Sequence, residues 1–313
     1  MSARTRWSVL SMVVMFLVAG SGAQAGPWNL APGEYASELR GGWFSADGYH
    51  DQNGGRAPLA GDGLWEQRSL TSYSELGWKP GINFLVGVPA LSVTRRRDPA
   101  LDEGPTQTGL GDALLGLRYR LANGPTAAAL ELEWKAPLSY ERNRFLTHAD
   151  SVVAGDTNGD GDSLDANVAR QLGSPVLGDG QQDLTLSLLL GKTLSHGFVQ
   201  VAGGYKYRFE TPTDQIVFGA DLGFWLTPSL LLAGRYQGEV AKKGDRPTDD
   251  PDEHRVGPLL VYRVDDHMDL FAGSMHTASA KNALHKDEIQ VGFAFRQTKL
   301  HRFEGFLGGT AAP

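Results

Sequence analysis

The chain has 313 residues, 40 of them glycine and none cysteine, with a formal net charge of −7. The lack of cysteine excludes disulfide staples, thiolate zinc sites and a lipid-anchored lipoprotein. The acidic balance disfavours nucleic acid as a partner, because phosphate binding needs a basic face; it becomes −9 (−7 less two arginines) if Arg4 and Arg6 leave with an export signal.

Residues 1–25 read as a cleaved signal peptide. Arg4 and Arg6 form the basic start, and Val9 to Gly20 is an apolar stretch too short to span a membrane. Ala23-Gln24-Ala25 is a small-residue cleavage site, so the mature chain should begin at Gly26. No later stretch approaches the roughly 18 consecutive apolar residues of a membrane helix. The mean hydropathy of −0.27 looks soluble. A membrane barrel gives the same impression, since it hides its hydrophobicity at every second position.

Such alternation recurs along the chain. In GLGDALLGLRYRL, Ala113, Leu115, Leu117, Tyr119 and Leu121 share one face, opposite Asp112, Gly116, Arg118 and Arg120. After the Asn123-Gly124-Pro125 breaker, Ala128, Leu130, Leu132, Trp134 and Ala136 oppose Glu131, Glu133 and Lys135. Leu184, Leu186, Leu188 and Leu190 then oppose Asp183, Thr185 and Ser187. Tyr205, Tyr207 and Phe209 oppose Lys206, Arg208 and Glu210, and Ile216, Phe218, Ala220, Leu222 and Phe224 oppose Asp221. The last strand sets Ile289, Val291, Phe293 and Phe295 against Gln290, Gly292 and Arg296.

An exported soluble sandwich also alternates. Two features favour a transmembrane barrel. Many runs reach the roughly 9–11 residues that a tilted spanning strand needs. Connection lengths also alternate, with short turns at Lys79-Pro80-Gly81, Asn123-Gly124-Pro125, Ser195-His196-Gly197, Thr227-Pro228 and Asp265-Asp266. Between them lie longer connections near 48–63, 96–108, 138–180, 241–253 and 277–287, with a short exception at Thr211-Pro212-Thr213. The prediction is an all-β, transmembrane, antiparallel, up-and-down β-barrel over 26–297. It has about 12 strands, a long outer loop at 138–180 and a tail at 298–313. The second, third and eleventh strands have ambiguous faces, so about 10 or 14 strands also fit. Trp43, Trp65, Trp78, Trp134, Trp225 and Tyr236 lie near strand ends, where aromatic girdles form, although Trp225 has inward parity.

The segments GLGDALLGLRYRL, SELGWKPGINFLVGVPA and LGFWLTPSLLLAGRYQ resemble an outer-membrane family named after the meta-cleavage pathway of phenol degradation. The likeness rests on Gly109, Gly111 and Asp112 at a strand entry and on the barrel rhythm. It implies an outer-membrane transporter of small, often hydrophobic molecules, with no particular substrate.

Three constellations could carry chemistry. Asp156, Asn158, Asp160 and Asp162 have the spacing of a calcium loop, with Gly161 at the sharp turn and Asp165 as a later carboxylate. Position 12 is Asn167 rather than Glu, and Asn, Gly and Asp favour solvated turns anyway. Calcium is therefore the one cofactor to test. The second constellation is the lumen. By parity Glu38, Arg40, Asp112, Arg118, Arg120, Glu131, Glu133, Lys135 and Asp183 point inward, as do Lys206, Arg208, Glu210, Asp221, Arg235, Glu239, Arg255, Arg263 and Arg296. Their signs nearly balance. Arg118 and Arg120 are expected to pair with Glu131 and Glu133, and Lys206 and Arg208 with Asp221. This fits either a salt-bridged packed interior or a pore whose charges tune selectivity. Third, His148 with Asp150, His254 with Glu253, and Ser274 with His276 are the raw material of a rim lipid hydrolase, with no nucleophile signature around Ser274.

The sequence therefore predicts passive transport of small, hydrophobic or aromatic molecules across the outer membrane of a Gram-negative cell, and no catalytic site. The expected partners are outer-membrane lipid and lipopolysaccharide, a small-molecule substrate and the barrel-assembly machinery. The alternatives are a non-conducting structural or adhesion barrel and a calcium-dependent lipid hydrolase.

Overall fold

A computed structural model describes residues 27–59, 64–96, 106–138, 182–209, 213–242 and 251–297. The signal peptide, the calcium-like loop at 156–165 and the tail at 298–313 lie outside the described residues. Twelve strands form the wall. They are β1 (Tyr35–His50), β3 (Leu64–Lys79), β4 (Ile82–Arg96), β6 (Asp112–Ala122), β7 (Thr126–Pro137) and β8 (Asp183–Leu194), followed by β9 (Gly197–Arg208), β10 (Gln215–Thr227), β11 (Leu230–Ala241), β12 (Asp252–Arg263), β13 (Met268–Lys281) and β14 (Ala283–Gln297). Two short strands extend the wall at one rim: β2 (Arg56–Pro58) pairs with β1, and β5 (Thr106–Leu110) pairs with β4.

Every neighbouring pair is antiparallel, and β1 closes on β14 with Tyr35 opposite Gln297 and Trp43 opposite Ile289. The fold is a closed 12-stranded up-and-down barrel. Closure leaves no wall edge with unpaired backbone groups, a condition for sitting in hydrocarbon. Among the described residues no helix is long and apolar enough to cross a membrane.

The alternation fixes which face is which. Leu115, Leu117, Leu130, Leu132, Leu186, Leu188, Val201, Leu222, Phe224, Leu232, Leu260, Ile289 and Val291 are large apolar side chains left exposed around the outside. Their neighbours along each strand face the interior. The short turns gather at one end of the barrel, where Gly81 adopts φ 79° and Gly124 φ 124°, a region open to glycine at little steric cost. We call this the turn end, and the opposite rim the loop end.

Two connections at the loop end are short. Between β9 and β10, Asp214 accepts hydrogen bonds from the Arg208 amide at 2.9 Å and the Tyr205 hydroxyl at 2.5 Å, which tie the two strand ends together. The second corrects the sequence reading. The long connection expected at 277–287 is instead a continuation of both strands, since β13 runs to Lys281 and β14 starts at Ala283. Asn282 alone makes the corner, with φ 48°. Asn tolerates this left-handed conformation better than most residues. With β1, β3 and β4, this hairpin makes one side of the barrel taller than the other.

Candidate functional site: the barrel lumen

A belt of ion pairs runs around the inner wall. Arg118 on β6 is fully buried and lies between Glu75 of β3, at 2.9 Å, and Glu131 of β7, at 2.7 Å. Asn83 donates a further short hydrogen bond to Glu75. Lys135 reaches Asp183 at 2.6 Å and Asp112 at 3.7 Å, and Arg208 meets Asp183 at 3.2 Å. Lys206 on β9 crosses over β10 to Glu239 on β11, at 2.8 Å. Asp221 pairs with Arg235 at 3.4 Å and accepts from Gln200 at 2.6 Å. Glu38 and Arg40 contact each other at 2.5 Å. Arg255 bonds Glu288, while Lys286 meets Glu253 at 2.6 Å. Opposite signs on nearby strands give each of these charges a partner. A lone buried charge would cost several kcal/mol.

Arg118 and Glu131 meet as their alternation suggests. Other expected pairings differ. Arg120 stands beside Gly81 at the turn end, opposite Ala129. Lys206 and Arg208 turn to Glu239 and Asp183, leaving Asp221 to Arg235. The sheet stagger causes this: it sets Asp221 level with Gln200, nearer the turn end than Lys206. Glu133 follows Glu131 on the same face of β7, and Arg296 sits at the turn end near Arg263 and Asp269. Glu210 lies outside the described residues. The parity reading missed Glu75, Glu253, Asp269, Lys286 and Glu288.

Two apolar patches flank the belt. At the turn end Phe198, Trp225, Leu231, Ala233, Leu259, Val261 and Phe271 pack together, with the Arg263 guanidinium 4.5 Å from the Trp225 ring centre. At the loop end Ala46, Leu59, Trp65 and Leu91 form a second cluster with Phe44, Tyr49 and Leu284. Trp65 and Trp225 are thus interior residues rather than members of an interfacial girdle. Trp43 and Trp134 are exposed on the outer face.

The segment before β1 enters the lumen. Pro27 and Trp28 lie against Gly191 of β8, and the Trp28 ring meets Phe198 of β9 edge-on, with centroids 6.3 Å apart. Asn29 donates through Nδ2 to the Gly81 carbonyl at 3.3 Å and the Arg118 carbonyl at 3.4 Å. Leu30 packs with Ala36 and Tyr73. The chain then passes so close to Gly77 that a Cβ there would lie 2.1 Å from the Ala31 carbonyl oxygen. Hydrogen bonds from Gly33 N to Gly77 O (2.8 Å) and Gly77 N to Glu34 O (2.9 Å) anchor its root. β9 is six strands from β1 in the ring of twelve, so this arm crosses the mouth from wall to opposite wall. No periodicity in 26–34 signals it, and its contacts lie far away in sequence.

Outside the lumen, His276 on β13 bonds Asp287 on β14 and packs edge-on against His285. Among the described residues no hydrogen bond joins Ser274 to His276. Ser274 and His276 are therefore not joined as nucleophile and base in this structure.

No family model matches the chain, and no curated protein matches it. Solved structures do. The COG4313 outer membrane channel from Pseudomonas putida F1 superimposes with a TM-score of 0.64 at 12% identity, covering 88% of this chain and 99% of that one. The NanC porin gives 0.46 at 9% identity, over 83% and 100% of the two chains. The translocator domain of the autotransporter NalP from Neisseria meningitidis gives 0.46 at 10%, over 85% and 89%. At these identities the first likeness speaks for the barrel fold, and the other two add no argument.

Proposed function

We propose that the protein is a passive outer-membrane channel for small molecules with an aromatic or apolar body. The exposed apolar belt suits hydrocarbon, and the closed fold is shared with an outer membrane channel. The observation that carries the reading is the layering of the lumen. Apolar patches at both ends are separated by a salt-bridged belt, and the turn end is crossed by the arm that precedes β1. Aromatic side chains such as Phe44 and Trp65 offer an apolar solute a first contact, while the belt keeps the path wetted and excludes bulky anions and cations alike. Passage runs down a gradient and requires the arm to yield. The resemblance to the phenol meta-cleavage family points to the same solutes.

Single-channel recording of refolded protein in planar bilayers tests this, with the intact chain and with residues 26–31 removed. Openings in the intact protein, blocked by small aromatic acids or phenols, support the channel. Silence in both forms, from protein shown to be folded, overturns it in favour of a structural or adhesive barrel.

A further inference from the structure

We infer that the outer wall carries a site for a divalent transition metal of the zinc type, built from His276, His285 and Asp287 and oriented by His50. The residues come from three strands. His276 and Asp287 are directly opposed on β13 and β14, and His285 lies two residues beyond Asp287 on the same face. One ligand atom from each falls within 4.8 Å of the others, the span of donors around one ion. Two imidazoles and a carboxylate are the donors that suit borderline metals, whereas calcium and magnesium prefer oxygen alone.

The hydrogen bonds assign the tautomers. His50 Nδ1 lies 3.2 Å from the Gly54 carbonyl oxygen, which can only accept, so this nitrogen carries the proton. In neutral His50 the other nitrogen, Nε2, is then an acceptor. It stands 3.0 Å from His285 Nδ1, which must donate. His285 is left with a lone pair on Nε2. His276 Nδ1 meets the Asp287 carboxylate directly; a bound ion takes the place of the proton between them, with His276 protonated on Nε2 instead, and holds both atoms as ligands. The β1–β2 hairpin thus supplies the outer-shell contact that metal-binding histidines need, with its Gly54 carbonyl setting the direction of the whole relay.

The location suits metal capture. His276, Asp287 and His285 share the outward face with Ile289 and Val291, one step beyond Trp43, which sits opposite Ile289. The cluster is therefore past the exposed apolar belt, on the tall side of the rim. His276 and Asp287 are more than half exposed, while His285 is buried against His50. An ion arriving from solvent finds two open ligands and one held rigidly, and water completes its shell. Bound there, it ties β13 to β14 and, through His50, to the hairpin that borders the loop-end apolar cluster.

Titration of the refolded mature protein in detergent with zinc chloride tests the site, followed by competition with a fluorescent zinc chelator. Heat-modifiable gel mobility reports folding for every variant. The expected result is one zinc per chain, abolished by His276→Ala with His285→Ala and unaffected by His196→Ala with His267→Ala. His50→Phe, which touches no metal, should weaken binding about 10–100-fold, as loss of an outer-shell partner does. Stoichiometric zinc that survives the His276/His285 double variant, or no zinc uptake by folded wild-type protein, overturns the assignment. Zinc affinity unchanged in His50→Phe overturns the relay.

Discussion

Gly191 and Pro27 touch inside the barrel: a Cβ on Gly191 would lie 2.6 Å from Pro27 Cγ. A strand residue of β8 is thus kept bare so that the start of the arm can lie against the wall. Gly191→Leu should evict Pro27 and Trp28 while leaving the outward leucines of β8 untouched. The expected outcome is larger or more frequent single-channel openings than wild type, approaching those of the protein without residues 26–31. Unchanged openings would mean that the arm does not limit the path.

The buried triad should dominate stability. Arg118 has no contact with solvent and is held by Glu75 and Glu131. Glu75→Ala leaves part of that charge unpaired and should cost about 3–5 kcal/mol. Glu75→Leu, Arg118→Met and Glu131→Leu together remove all three charges and should recover much of the loss. Guanidinium unfolding in lipid vesicles, followed by tryptophan fluorescence, measures both. A loss below about 1 kcal/mol in Glu75→Ala would show that water reaches the triad.

Selectivity should respond to the pair that crosses the lumen. Lys206 is neutralised by Glu239 across the intervening strand. Lys206→Ala frees a carboxylate and should shift the reversal potential in a salt gradient towards cation preference. Glu239→Gln should shift it towards anions. Shifts of the same sign, or none, would place this pair away from the conducting path.

The apolar belt predicts the cost of a misplaced charge. Leu188 lies midway along β8 on the outer face. Leu188→Arg should destabilise the barrel by about 2–4 kcal/mol in a bilayer, the range for a basic residue at mid-membrane. Ser187→Arg, one residue along and facing inward, would not pay the lipid penalty. The two unfolding midpoints in vesicles should separate accordingly.

Legibility in the sequence followed the contrast between the two faces. β6 and β7 carry leucine, tyrosine or tryptophan at alternate positions, so Arg118 and Glu131 could be placed inside. β3 has Arg68, Ser72 and Ser74 on its outer face around a lone exposed Leu70, and this weak contrast hid Glu75 on the other side. The hairpin tip at Lys281-Asn282-Ala283 stands beyond the apolar belt, where neither face need be apolar, so alternation vanishes and the strands look like loop. Lysine and glutamate partners two strands apart, such as Lys206 and Glu239, depend on stagger that a single strand does not encode. The histidine relay is divided among His50, His276 and His285 and has no local motif. Only the closure of β1 on β14 brings its first member to the others.

That closure also bears on how the molecule can be made. The seam joins the first and last wall strands, Tyr35 opposite Gln297, so the ring cannot shut until nearly the whole chain is present. The arm is rooted at Gly33 beside this seam, yet its tip rests on the far wall. Docking of the arm and closing of the seam are therefore separate events, and the arm finds its resting place only once β8 and β9 stand opposite its root. Sequence-distant closure of this kind is slow, because the loop entropy is lost before the final contacts form. An arm left outside when the seam shuts would give a barrel of correct strand content with an unobstructed lumen, a misassembled form that spectroscopy of secondary structure would not distinguish from the native one.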